Sequence, residues 1–306
     1  MKTLKKYHGV VVPMVTPVSK DGSIDTVAVE RIVDNMAHFG VAPLIMGTTG
    51  EGNSVSSKDG RKIVETAVKA AAGRITIYAG LTGNCFEEQL LQADAYSEAG
   101  ADVIVATLPS YYALTEKQMI GYYTTLADNI KRPLMLYNIL ATTHMSIPLE
   151  AVMLLADHPN IVGLKDSERD LDRMSACVRF SKQRDDFSYF CGWAAQSAHA
   201  LQLGADGIVP STGNFVPGMF KQLYDAAISD DMATAVRLQE ETDEIAQIYQ
   251  KGRTLGQSLA ALKVMMQLRG LCQPWMLMPL SRLSEEEEQA VAQKASLHLE
   301  MGASKR

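Results

Sequence analysis

The feature that most limits how this chain can fold is a rhythm. Short apolar runs rich in β-branched residues recur eight times: VVVPMVT from Val10, PLIMG from Pro43, ITIYAG from Ile75, DVIVATLP from Asp102, PLMLYN from Pro133, IVGLKDS from Ile161, FSYFCGW from Phe187 and GIVPST from Gly207. Uninterrupted apolar runs of this length suit parallel strands covered on both faces. Between them lie helical patterns. SSKDGRKIVETAVKAAA opens on a capping box, Ser56 and Asp59; NCFEEQLLQADAYSEAG opens on Asn84, with Glu87 three residues on, and stops at Gly100. Eight strand–helix units in about 225 residues predict an α/β fold, a (β/α)8 TIM barrel. The competing doubly wound sheet would carry GxGxxG after its first strand, and that pattern is missing.

The barrel is expected over residues 1–229. Residues 230–306 read as a C-terminal helical extension, with TLGQSLAALKVMMQLRG and SEEEEQAVAQKASLHLE packed on the barrel as an appendage and Met265 and Met266 as core filler. With 306 residues, 47% of them hydrophobic, the chain can bury a large core. A net charge of −6 and a pI near 5.6 speak against nucleic acid or an anionic membrane as partner, since both need a basic surface. The four cysteines, Cys85, Cys177, Cys191 and Cys272, form no CxxC pair and read as reduced thiols of a cytoplasmic protein. The start, MKTLKKYHGVVVPMVTP, is basic and then apolar, but Pro13 and Pro17 break it too early for a signal-peptide core, and no later run approaches a membrane span.

In such a barrel, function sits at the carboxyl ends of the strands. Those ends carry Thr16, the Gly47–Glu51 loop, Leu81-Thr82, Ser110-Tyr111-Tyr112, Tyr137-Asn138, Lys165-Asp166, Gly192-Trp193 and Ser211-Thr212. The loop in LIMGTTGEGNS is mostly backbone. Its N–H groups can cradle an anion, or it is an ordinary strand-to-helix turn; the Gly-Lys-Ser/Thr of a phosphate loop is missing. IVGLK is an apolar strand ending in a lysine. Either Lys165 snorkels to solvent, or burial disfavours its ammonium and leaves a neutral amine able to condense with a ketone. Tyr137 is the right type for a proton shuttle, or it is an amphipathic cap on the core. The main-chain N–H groups of Thr48 and Thr49 can anchor the carboxylate of a 2-oxo acid, with the Thr48 hydroxyl relaying protons to Tyr137.

Taken together, GVVVPMVTP, GTTGEGNSVS, PSYYALTEKQMIGYY, LMLYN, VGLKDS and GADGIVPSTGNFVP resemble, in order and spacing, the pyruvate-dependent class I aldolase superfamily of N-acetylneuraminate lyase and dihydrodipicolinate synthase. The resemblance covers nearly the whole chain. It implies a Schiff base at Lys165, acid/base chemistry at Tyr137 and pyruvate-carboxylate binding by Thr48 and Thr49. It further implies that Val209 lines the pyruvate pocket and that Tyr112 joins the Thr48–Tyr137 relay from a neighbouring subunit of a homotetramer. No metal or organic cofactor is implied.

The departures bear on the substrate. The synthase branch reads Tyr-Asn-x-Pro-x-Arg, its arginine gripping a second carboxylate; here YNILATTH puts Leu140 and Thr142 at those places, and threonine cannot form that ion pair. The sialic acid branch reads Gly-Tyr-Asp-Glu after strand seven, where this chain has Gly192-Trp193-Ala194-Ala195. Gly192 and Thr142 are then candidate substrate contacts, and Trp193 either stacks on substrate or fills core. GLKDS resembles the form found in aldolases for 2-keto-3-deoxy sugar acids, the expected substrate class ahead of the two name-giving activities. Other classes fare worse. Of the six histidines only His144 lies just past a strand end, where it contacts substrate or sits in a plain surface loop, so a metal site is not expected. GWAAQ and STGNF lack the basic residue a phosphate site favours. A non-catalytic 2-oxo-acid-binding protein would have had no need to keep Lys165, Tyr137, Thr48 and Tyr112 together.

Overall fold

The structure is a computed structural model that describes residues 4–299. Its strands are β1 (Gly9–Pro13), β2 (Ala42–Ile45), β3 (Tyr78–Leu81), β4 (Val103–Thr107), β5 (Leu134–Asn138), β6 (Ile161–Asp166), β7 (Ser188–Cys191) and β8 (Gly207–Ile208). All pair in parallel, in chain order, and β8 closes on β1. The helices are α1 (Thr26–His38), α2 (Ser57–Ala71), α3 (Phe86–Glu98), α4 (Glu116–Asn129), α5 (Leu140–Thr143), α6 (Leu149–Leu155), α7 (Leu171–Ser181), α8 (Ser197–Leu203) and α9 (Pro217–Ile228), followed by α10 (Met232–Gln250), α11 (Leu255–Leu268) and α12 (Glu285–Ser296). This is the expected (β/α)8 barrel with C-terminal helices.

Local physics explains where the elements depart from the sequence pattern. The third run begins at Ile75, but β3 starts at Tyr78 because the Ile77 N–H donates to the Asp102 carboxylate (2.8 Å) rather than to the neighbouring strand. The eighth run shortens to two residues, since Pro210 has no N–H to give and the chain coils into a 3-10 turn over Ser211–Asn214. Ser56 does cap α2, accepting from Asp59 N at 3.1 Å, but the Asp59 carboxylate turns back onto the Ser56 hydroxyl instead of its backbone. Asn84 does not cap α3. Its side-chain oxygen accepts from the backbone N–H groups of Ser110 (2.7 Å) and Tyr111 (3.3 Å), tying the loop after β3 to the loop after β4.

Two apolar layers result. Leu44, Tyr78, Val105, Met135, Phe190 and Val209 belong to the cluster that fills the barrel interior, while the larger core lies between sheet and helices. Met265 and Met266 are fully buried in the second layer, as expected of filler. At the amino ends of the strands Lys5 donates to Ser181 O (2.7 Å), Phe187 O (2.8 Å) and the Asp206 carboxylate (2.9 Å), which also accepts from Ser181 Oγ and Tyr189 N. The extension seats on the opposite face, at the carboxyl ends of the strands. Gln239 of α10 accepts from Ala198 N and donates to Ala194 O, in the turn after β7. Tyr249 bonds the hydroxyls of Ser211 (2.8 Å) and Thr212 (3.0 Å), after β8. Among the described residues no helix is long and apolar enough to cross a membrane.

Asp206 and Lys5 are almost fully buried, so Asp206→Ala, which strands the Lys5 ammonium, is expected to lower unfolding stability by about 3–5 kcal/mol. The urea midpoint reports it; a midpoint unchanged within error would show that water already solvates this lysine.

Candidate active site

The site is set by the register of β5 on β6, in which Tyr137 stands opposite Lys165 and Asn138 opposite Asp166. Side chains alternate across a strand, so Tyr137 and Lys165 point into the barrel together and their neighbours point outward. The Lys165 Nζ lies 3.6 Å from the centroid of the Tyr137 ring, and the two side chains are 3% and 6% exposed. Snorkelling is therefore ruled out by geometry: the amine ends inside the barrel mouth.

Electrostatics follow from that burial. Desolvation pushes the Lys165 amine below the usual lysine range, against the opposing pull of the Tyr137 oxygen. Burial by itself would raise the Tyr137 phenol, but the Lys165 charge and hydrogen bonds from Thr48, Lys165 and Ser167 outweigh it and bring the phenol below its ordinary value. Both groups thus move toward the range in which they can exchange protons near neutrality.

Behind them the outward-facing residues of the same strands form a charged brace. Asn138 donates to Asp166 (2.9 Å) and Glu168 (2.8 Å), and Arg173 of α7 donates to Asp166 at 2.7 Å. Burial pushes the Asp166 carboxyl up against the pull of Arg173. This brace holds the ends of β5 and β6 in register from the outer side.

The loop after β2 answers the question its composition raises. The N–H groups of Gly50 and Gly52 both close onto Gly47 O, and Glu51 N closes onto Thr48 O, whereas the N–H groups of Thr48 and Thr49 have no acceptor among the described residues. Two donors are left free, and the hydroxyl of the same Thr48 reaches Tyr137. The loop is backbone packed on backbone: a Cβ on Gly52 would sit 2.2 Å from Met46 O, and one on Gly80 2.8 Å from it. That is why glycine is needed at both places.

The remaining candidates are dispersed. Val209 lies in the interior cluster with Tyr137. Thr142, on the short α5, lines the cavity at the barrel mouth with Thr48, Asn53, Thr107 and Tyr137. Gly192 is a close-approach position, since a Cβ there would meet the Ser167 hydroxyl at 2.2 Å. Trp193 packs half-buried against the main core, and His144 is exposed. Tyr112 is 72% exposed on the loop after β4, edge-on to Tyr111, and the single chain does not bring it to Lys165. Two features escape a reading of the sequence. Ser167 touches the phenol, and Glu51 makes a fully buried ion pair with Lys263 of α11, whose one advance signal is a lone lysine within the apolar run LAALKVMMQL. Among the described residues, no group of three His, Cys, Asp or Glu side chains gathers to hold a metal.

The fold and this site define a barrel built around a buried lysine–tyrosine pair. Residues 6–297 match the dihydrodipicolinate synthetase family, and the chain belongs to it. Members of that family are lyases that form Schiff bases with pyruvate. The 4-hydroxy-tetrahydrodipicolinate synthase of Shewanella pealeana is 33% identical over 239 residues, 78% of this chain and 81% of that one. The probable 2-dehydro-3-deoxy-D-pentonate aldolase YjhH of Escherichia coli K12 is 29% identical over 292 residues, 94% of this chain and 96% of its own. Among solved structures, YagE, a prophage protein of the dihydrodipicolinic acid synthase family from E. coli K12 in complex with pyruvate, superposes with a TM-score of 0.89 at 26% identity, covering 97% of this chain and 99% of that one.

Because burial depresses the Lys165 pKa, the folded protein binds fewer protons there than the unfolded chain. That penalty is complete below the depressed value and vanishes above lysine's ordinary value of 10.5. Lys165→Met is thus expected to melt above the wild type at pH 7, with the gap closing as pH rises toward 10.5. Thermal melts across that window decide it; a gap that widens with pH would contradict the depressed amine.

Proposed function

We propose that this chain is a class I aldolase that forms a Schiff base between Lys165 and the ketone of a 2-oxo acid, and that it cleaves or forms a 2-keto-3-deoxy sugar acid. One observation carries the reading: an amine buried at the mouth of the barrel, 3.6 Å from the ring of a phenol whose acidity it raises.

In this scheme the substrate carboxylate lies on the free N–H groups of Thr48 and Thr49, and Val209 lines the keto-acid end of the site. The neutral Lys165 amine adds to C2. Tyr137 protonates the resulting hydroxyl, water leaves and an iminium forms. The phenolate then takes the proton of the C4 hydroxyl, the C3–C4 bond breaks, and its electron pair passes into the iminium to give an enamine while the aldehyde departs. Protonation at C3 and hydrolysis release pyruvate and the free amine; condensation is the same path reversed. No metal or organic cofactor takes part. Thr48 relays protons to Tyr137, and Tyr112, exposed in one chain, completes the relay from a neighbouring copy in a homotetramer. The setting is the cytoplasm.

Support for the sugar acid comes from the variable end of the site. Thr142 stands at the cavity mouth beside Asn53 and Thr107, an uncharged set that suits hydroxyl groups and offers no ion pair to a second carboxylate. Gly192 lets the Ser167 hydroxyl, a partner of the phenol, approach the end of β7. The relative named as a probable 2-dehydro-3-deoxy-D-pentonate aldolase aligns along 94% of the chain, which points the same way.

Borohydride reduction with pyruvate should add one pyruvyl group to the wild type and none to Lys165→Ala; an unmodified wild type would end the proposal. Tyr137→Phe should slow turnover by roughly 10²–10⁴-fold. In a panel of 2-keto-3-deoxy sugar acids, neuraminate and aspartate semialdehyde, kcat/KM should be highest for a sugar acid, and preference for aspartate semialdehyde would reassign the substrate.

A further inference from the structure

The Glu51–Lys263 pair lies outside the chemistry just described. Glu51 ends the Gly47–Glu51 loop, and its carboxylate lies 2.5 Å from Lys263 Nζ with both side chains fully buried. The contact is an ion pair. The second Glu51 oxygen accepts from Leu277 N at 2.8 Å, and Lys263 donates to Trp275 O at 2.7 Å. Four groups from three segments therefore meet around one buried charge pair: the barrel loop, α11, and the stretch that follows it.

A buried ion pair seldom stabilises a fold more than apolar side chains of the same shape would. Its location is what calls for explanation. Glu51 occupies the left-handed region at φ 53°, and Met46, at the other end of the loop, does so at φ 60°. Such backbone persists in non-glycine residues only when surrounding contacts impose it. At Glu51 the contacts are Lys263 and Leu277 N on the side chain, and Thr48 O and Ser54 N on the backbone. Between these two strained residues lie the free N–H groups of Thr48 and Thr49, and Glu51 N is bonded to Thr48 O at 3.2 Å, so a shift of Glu51 is passed directly to Thr48. Thr16 holds the loop through Gly50 O and backbone bonds close it on itself, while the Glu51 side chain is held by the extension.

We propose that Glu51 and Lys263 are positioning residues: the C-terminal extension, through this buried pair, holds the carboxylate-binding loop in the conformation that aims the Thr48 and Thr49 N–H groups. The proposal rests on the aldolase reading above, and the two can fail separately.

The test measures the pyruvate concentration that half-saturates borohydride trapping on the full-length protein, by intact mass, alongside thermal melting. Lys263→Met removes the cation and leaves the Glu51 carboxyl with Leu277 N alone. Glu51→Leu/Lys263→Met replaces both tethers with apolar side chains of similar size and removes the buried charges, so it should fold. In both variants half-saturating pyruvate should rise about tenfold to a hundredfold, with trapping at saturation retained, because a misaimed loop weakens capture of the acid without removing the amine. A folded double variant with half-saturation within about twofold of wild type overturns the proposal. So does a double variant that cannot fold, which would make the pair a fold element only. A wild type that traps no pyruvate overturns the aldolase reading instead, and this proposal with it.

Discussion

The site depends on one cross-strand contact, Tyr137 on β5 against Lys165 on β6. An ammonium inside a barrel mouth loses most of its hydration, and the structure offers it no carboxylate in return. Its compensation is the face and oxygen of a phenol, a weaker partner than an acid. A carboxylate in that place would have stabilised the charged amine and raised its pKa. The phenol leaves the amine depressed and becomes more acidic itself. The acids of the region, Asp166 and Glu168, are kept on the outer side of the sheet with Arg173 and Asn138. The strict in–out alternation of a strand separates Tyr137 from Asn138 and Lys165 from Asp166, one residue apart in sequence and on opposite faces in space.

The loops at the carboxyl ends of the strands differ in what fastens them. The loops after β2, β7 and β8 are each fastened to the C-terminal helices, through Glu51, Gln239 and Tyr249 respectively. Those after β3, β4 and β5 carry Asn84, Ser110, Tyr111, Tyr112 and Thr142, polar or aromatic residues that are exposed or half-buried. Support from the C-terminal helices thus falls on the loop with the free backbone donors, whereas the loops after β3 and β4 are tied to each other through Asn84.

Much of this could be read directly from the chain. The eight β-branched runs and their spacing establish the barrel, because a strand buried on both faces has no other composition available to it. Lys165 stood out as a charge ending an apolar run, and the GTTGEG loop as mostly backbone, either an anion cradle or an ordinary strand-to-helix turn. The misses share a cause. Asn84 has the look of a helix cap, yet it bonds a loop 26 residues away, and Trp193 leaves two readings open until its packing is seen. The extension reads as an appendage because its amphipathic helices need only some apolar surface to cover. That Lys263 reaches a glutamate more than 200 residues earlier is a matter of how helices dock.

The amino-acid sequence by itself determined the kinds of element, their order and the strand ends on which chemistry-bearing side chains fall, since these follow from local periodicity and steric preference. Only the tertiary structure decided that Tyr137 faces Lys165, that Thr48 and Thr49 keep their N–H groups free, and that a distant helix anchors the loop carrying them. Those outcomes depend on register, on main-chain direction and on burial from water, quantities that come into being when the barrel closes.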